Sequence, residues 1–163
     1  MEQEKLIEKF EKDFEEMKKE LGFKATLKEI DEIFFIKDFV LRSGFVSESL
    51  SRQVAAGIRD LLGGWYNYFH TIIMPNPGSM LNMTESQAFS DEEKHDLVIF
   101  TNKIMALTTD NTINGLSKNK AAEAKFIDDS VEFWNKELKP KAQEIMKKVK
   151  SNWVEKSTLP EVK

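Results

Sequence analysis

The most specific arrangement of polar residues in the chain lies between positions 56 and 70. Asp60, Asn67 and His70 share one helical face with the small residues Ala56 and Gly63. An acid, an amide and an imidazole are side-chain types that bind a metal or move a proton. This face is therefore a candidate site for a ligand or a reaction. The alternative is a strip that faces solvent, or a His70 that only hydrogen-bonds across a helix contact.

A second pair, Glu92 and His95, has the Glu-x-x-His spacing that carboxylate-bridged di-iron bundles use. Such a site needs the motif twice and two further glutamates, whereas here the motif occurs once. Glu92 also falls in the first turn of a predicted helix, where an acid stabilises the positive end of the helix dipole. The chain has only two histidines and no cysteine. We therefore expect no bound metal and no cofactor, and no nucleophile-elbow or phosphate-loop motif is present.

Residues 74–90, MPNPGSMLNMTESQAFS, interrupt the helical pattern with two prolines and a glycine. Four large apolar residues stand in this segment: Met74, Met80, Leu81 and Met83. They could fold back over one end of the bundle, or form an adaptable surface for a protein partner. The first alternative, in which they cover one end of the bundle, is slightly favoured, because large exposed apolar groups promote aggregation. We expect a long irregular loop that is also the most mobile internal segment.

The lysine-rich stretch KELKPKAQEIMKKVKSNW, near the C-terminus, raises the question of nucleic-acid binding. Glutamates interrupt the lysines, and the formal net charge of the whole chain is −4. The acidic first helix is also available as an internal partner. A solvated basic face is therefore the preferred interpretation.

Apolar residues at helical spacing predict five helices, which must position these groups. The predicted limits are Glu2 to Leu21, Thr26 to Gly44, Ser47 to Pro75, Ser90 to Gly115, and Ser117 to about residue 156. Pro140 should kink or break the last helix, because proline lacks the backbone donor. Gly63 and Gly64 indicate a close helix crossing or a local bend. The core should include Phe35, Phe39, Ile58, Trp65, Phe100 and Val131.

Composition is typical of a globular chain, with 163 residues, 40% of them hydrophobic and 32% charged. We expect a single all-α domain over residues 1–156, built as a bundle, and a frayed tail over 157–163. The longest apolar runs, Ile33 to Ile36 among them, have four residues and are far too short to span a bilayer. The first residues alternate acids and lysines, unlike an export signal. These features predict a cytoplasmic protein that does not enter the membrane.

The preferred function is that of a non-catalytic interaction or scaffold protein, which self-associates or docks a protein partner through apolar helix surface and the methionine-rich loop. The alternative is a ligand-binding or enzymatic bundle that uses Asp60, Asn67 and His70. Sites in helical bundles are built from inward side chains, so the burial of these three residues distinguishes the two hypotheses. Nucleic-acid binding by the last helix is a third, weaker hypothesis.

Overall fold

A computed structural model describes residues 1–158. All regular structure in this part of the chain is helical, which confirms the predicted all-α class. The elements are α1 (Glu2–Leu21), α2 (Leu27–Phe34), α3 (Ile36–Ser43), α4 (Leu50–Ile73), α5 (Met80–Ser86), α6 (Asp91–Ser117), α7 (Lys120–Phe133), a π turn (Trp134–Leu138) and α8 (Lys139–Ser157). The predicted count of five helices is therefore too low.

The second predicted helix is divided at Phe35, which adopts the left-handed conformation with φ of 54°. Its N–H donates to the Asp31 carbonyl over 2.9 Å and closes α2. Asp31 Oδ1 then accepts from the N–H of Lys37, in the first turn of α3, over 3.0 Å. The change of direction buries Phe34 and Ile36 but leaves Phe35 55% exposed. The assignment of Phe35 to the core was therefore wrong.

The segment 74–90 is not irregular throughout, because α5 forms within it. Pro75, Pro77 and Gly78 prevent helix only at the start of the segment. Ser79 then caps α5, its hydroxyl accepting from the N–H of Asn82 over 3.2 Å. The proline-containing connection is thus much shorter than predicted.

Residues 120–157 form one continuous helical path, α7, the π turn and α8. Asn119 caps it instead of the expected Ser117. Pro140 does not break this path. The irregularity lies immediately before the proline, where the N–H of Lys139 donates to the carbonyl of Trp134, five residues earlier. Ser157 still belongs to α8, and residues 159–163 of the predicted tail lie outside the described residues.

Buried apolar side chains form one continuous core around α4, which packs against α1, α2, α3, α5, α6 and α7. Three of the expected core residues, Ile58, Phe100 and Val131, are buried. Phe39 and Trp65 are half-buried and pack against the core. Because six helices cover much of α4, functional groups of α4 itself can be presented only at its two ends and on its uncovered face.

The close helix crossing lies at Gly57, not at the predicted Gly63 and Gly64. A Cβ atom on Gly57 would lie 2.5 Å from Ile36 Cδ1, so α3 and α4 approach closely there. No neighbouring atom lies within 4 Å of a Cβ placed on Gly63 or Gly64.

Candidate functional site

The predicted ligand face of α4 points to solvent. Asp60, Asn67 and His70 are all exposed, and the His70 ring stacks on Tyr66 with 6.1 Å between ring centroids. Asp60 borders a groove of about 410 Å³ between α4 and α8 that also involves Trp65 and Met146, but Asn67 and His70 do not line this groove. The three polar groups do not surround a common space, so their positions support the solvated interpretation.

The Glu92 and His95 pair is also exposed, in the first turns of α6. Glu93, not Glu92, forms the capping box with Ser90. Glu93 also pairs with Lys148 of α8, and that hydrogen bond is the main cause that lowers the pKa of Glu93. Across residues 1–158, no group of three or more metal-ligating side chains comes together.

The four apolar residues singled out between 74 and 90 lie on the outside of the molecule. Their exposed fractions are 69% for Met74, 86% for Met80, 57% for Leu81 and 36% for Met83. We call these four residues the methionine surface. Phe89, at the end of the segment, is the large apolar residue that is buried. The expectation that Met80, Leu81 and Met83 close over the core was therefore wrong.

Polar side chains hold α5 against the rest of the molecule. The Ser86 hydroxyl is buried and donates to the carbonyl of Ile72 in α4 over 2.6 Å. On the other side, the Asn152 amide of α8 donates to the carbonyl of Thr84 over 3.0 Å. This short helix therefore presents polar groups inward and apolar groups outward, the reverse of an ordinary surface helix.

Glu85 is the centre of this attachment. Its Oε1 accepts from the Tyr68 hydroxyl over 3.3 Å, and its Oε2 accepts from the Trp153 indole over 2.9 Å. Burial and the neighbouring Glu85 charge raise the pKa of Tyr68 to about 12. Glu85 thus connects α4, α5 and α8, and it fixes the orientation in which α5 shows its methionines.

A buried carboxylate that the sequence analysis missed lies in the first turn of α7. Glu123 is 1% exposed, and its Oε2 accepts from the Ser51 hydroxyl of α4 over 2.5 Å. Its Oε1 has no hydrogen-bond partner, and the nearest cation is Arg52, with Nε 3.9 Å away. The burial of Glu123 could not be predicted from the sequence, because an acid in a first helical turn is ordinarily explained by the helix dipole.

Glu123 and Arg52 line a polar cavity of about 610 Å³ among α4, α6 and α7. Arg59, Asn111 and Thr112 also line it. The arrangement supplies a buried hydrogen-bond acceptor beside two guanidinium groups. The hydroxyl beside Glu123, that of Ser51, is buried and does not line this cavity, so the geometry suits hydrogen bonding and packing.

Among residues 1–158, no ion pair joins the basic C-terminal helix to α1, the acidic helix that was available as an internal partner. Lys148 of α8 pairs with Glu93 of α6 and lies 5.3 Å from the centre of the Phe89 ring. In α1, Glu11 pairs with Lys37 of α3 over 2.9 Å. The positive charge of Lys148 in α8 is therefore paired with a carboxylate of the same chain.

No protein-family model, curated protein or solved structure matches the chain. Among the described residues, none of the helices combines the length and apolar character needed to cross a bilayer. The function must therefore be argued from the surface and the contacts described above.

Proposed function

We propose that the protein is a non-catalytic interaction protein that docks a protein partner through the methionine surface. The observation that carries this proposal is the orientation of α5. The Glu85 and Ser86 side chains and the backbone carbonyl of Thr84 are bonded to α4 and α8, while Met80 and Leu81 are exposed. A helix that served as a lid would turn its apolar residues inward.

Methionine side chains are flexible and polarisable, so they adapt to partners of different shape. Burying the four side chains removes apolar area from water at roughly 25 cal/mol per Å². The polar bonds of α5 fix the position of this helix before docking, which lowers the ordering cost of association. The matching partner surface is apolar, with few charges at its centre.

The alternative sites have less support. Asp60, Asn67 and His70 are exposed and share no cavity, whereas bundle sites use inward groups. For nucleic acid, the net charge of −4 gives no overall attraction to phosphates.

The test replaces Met80, Leu81 and Met83 together with serine. A photoreactive side chain at Met80 first captures the partner, which is then identified, purified and titrated against the protein by calorimetry. We expect the triple variant to lose at least about tenfold in affinity, since hot spots cluster in few residues. Its free energy of unfolding should change by less than about 0.5 kcal/mol, as for ordinary surface substitutions.

Phe45→Ser is the control, because Phe45 is also large, apolar and exposed but lies in the loop between α3 and α4. It should leave the affinity unchanged. If the triple variant instead unfolds with a loss of about 1 to 2 kcal/mol per side chain, the three residues contribute to the core and the proposal is wrong.

A further inference from the structure

Helix α6 carries a second, partly apolar stripe on the side opposite its core contacts, in which Asn102 and Thr109 are polar. Its core face includes Leu97, Phe100 and Ile104, which are buried. The opposite face is exposed throughout and consists of Ile99, Asn102, Ala106, Thr109, Ile113 and Leu116, of which Leu116 is 82% exposed. We call these six residues the α6 seam. Among residues 1–158, all six side chains remain exposed, and Leu116 also borders the cavity among α4, α6 and α7.

The spacing of the α6 seam alternates between three and four residues. This is the seven-residue repeat by which two helices pack side by side. The seam runs over residues 99–116, which is about 27 Å of helix. A single exposed isoleucine needs no explanation, but a continuous stripe at this repeat indicates a partner helix.

We propose that the α6 seam pairs with the same seam of a second copy, with the two helices antiparallel. In one antiparallel register, each residue of the α6 seam lies opposite a seam residue of the second copy. Ile99 meets the second copy's Leu116, Asn102 meets its Ile113, and Ala106 meets its Thr109. The small pair Ala106 and Thr109 at the centre allows the helices to approach closely, and the apolar Ile99–Leu116 pairs pack at both ends.

The charges beside the seam favour this arrangement. Lys103 and Asp110 flank it on the same edge, seven residues apart. In the antiparallel register, Lys103 of each copy lies beside the other's Asp110, so two opposite-charge contacts form. In a parallel pair, Lys103 and Asp110 would instead face Val98 and Met105.

Both charged groups can reach a second copy. Lys103 contacts Glu137 of its own chain over 2.8 Å, but its side chain is still half exposed. Asp110 is exposed, and within residues 1–158 its charge acts on Lys125 of α7 without a close ion pair between them. Lys103 can therefore bridge Glu137 and the second copy's Asp110.

The first experiment uses the absence of cysteine in the chain. Ala106→Cys and Thr109→Cys chains are mixed in equal amounts and oxidised, and intact mass distinguishes mixed from self-paired disulfides. We expect mixed dimers to exceed each self-paired dimer several-fold. Self-pairing of the Ala106→Cys chain as the main product would show a parallel pair and overturn the proposal.

The second experiment measures dimer dissociation by sedimentation equilibrium. Lys103→Glu or Asp110→Lys alone should weaken the dimer about tenfold, because each homodimer then holds two like-charge contacts. Mixing these two variants should restore wild-type affinity to within about twofold, since only the mixed dimer has two opposite-charge contacts. The Lys103→Glu chain still lacks its Lys103–Glu137 contact in the mixture, so the rescue cannot arise from that contact.

Either of two results would refute the proposal. One is a wild-type protein that stays monomeric up to about 1 mM, and the other is a mixture of the two variants whose dimer affinity is no higher than that of each variant alone. The methionine-surface triple variant is a useful control because it leaves the α6 seam intact. It should dimerise like wild type, so failure of this inference and failure of the proposed function are distinguishable.

Discussion

Trp153 donates its indole N–H to Glu85 Oε2 over 2.9 Å, and this bond joins α8 to α5 across 68 positions of sequence. The same carboxylate accepts from Tyr68 of α4 through its other oxygen. One acidic side chain therefore links three helices next to the exposed methionines. The two bonds explain how a seven-residue helix, too short to be stable alone, keeps a defined orientation.

Replacing Trp153 with phenylalanine should loosen α5 without unfolding the protein. Phenylalanine keeps an aromatic ring at this position but lacks the indole N–H donor, so the free energy of unfolding should fall by about 0.5 to 1.5 kcal/mol. Amide hydrogen exchange over residues 80–86 should accelerate, while exchange in α4 should not change. Val154→Ala, at the neighbouring exposed position, is the control. Unchanged exchange in α5 would show that Trp153 does not hold it.

Glu85→Gln should lower the pKa of Tyr68 from about 12 toward its ordinary value near 10. Burial, the largest cause of the shift, remains in the variant, so the pKa should stay above 10. Tyrosinate absorbance measures it, in a Tyr66→Phe background that leaves only one tyrosine. An unchanged pKa would contradict a role for the Glu85 charge.

The same shift gives a pH dependence of stability. The folded state keeps the Tyr68 proton more tightly than the unfolded chain does. The stabilisation is therefore complete below about pH 10 and is lost as the pH rises toward 12. Glu85→Gln should narrow the pH range between the Tyr68 pKa values of the unfolded and folded states, over which this stabilisation is lost.

Local signals in the sequence predicted the helix ends well. Gly22 and Gly44 both adopt positive φ at helix ends, where a residue without Cβ is favoured. Thr26 and Ser90 form capping boxes with the glutamates three residues later. These features depend on a few neighbouring residues, so a single sequence contains the information.

The orientation of side chains depended on distant contacts and was harder to predict. Phe35 fits a helical stripe, but Asp31 redirects the backbone there and leaves its ring outside. The methionines of α5 face outward because Ser86 and Glu85 find partners on α4 and α8. The exposure of Asp60, Asn67 and His70 likewise depends on which face of α4 its neighbours cover.

Glu123→Ala should destabilise the protein by about 1 to 3 kcal/mol, because the buried Ser51 hydroxyl loses its acceptor. Ser51→Ala should cost less in the Glu123→Ala background than in the wild type, which a double-mutant cycle by chemical denaturation measures. Glu123→Gln keeps an oxygen for Ser51 and should be milder than alanine. Fully additive effects of Ser51→Ala and Glu123→Ala would exclude an energetic coupling of the two residues.

Gly57→Ala should destabilise the protein, whereas Gly63→Ala in the same helix should stabilise it. At Gly57 the new methyl group would lie 2.5 Å from Ile36 Cδ1, in a fully buried contact, so overpacking should cost about 1 to 3 kcal/mol. At Gly63 no atom lies within 4 Å, so the gain in helix propensity of up to about 1 kcal/mol should prevail. Thermal and chemical denaturation of the two variants measure both effects. Equal effects at the two positions would mean that α3 and α4 do not cross closely at Gly57.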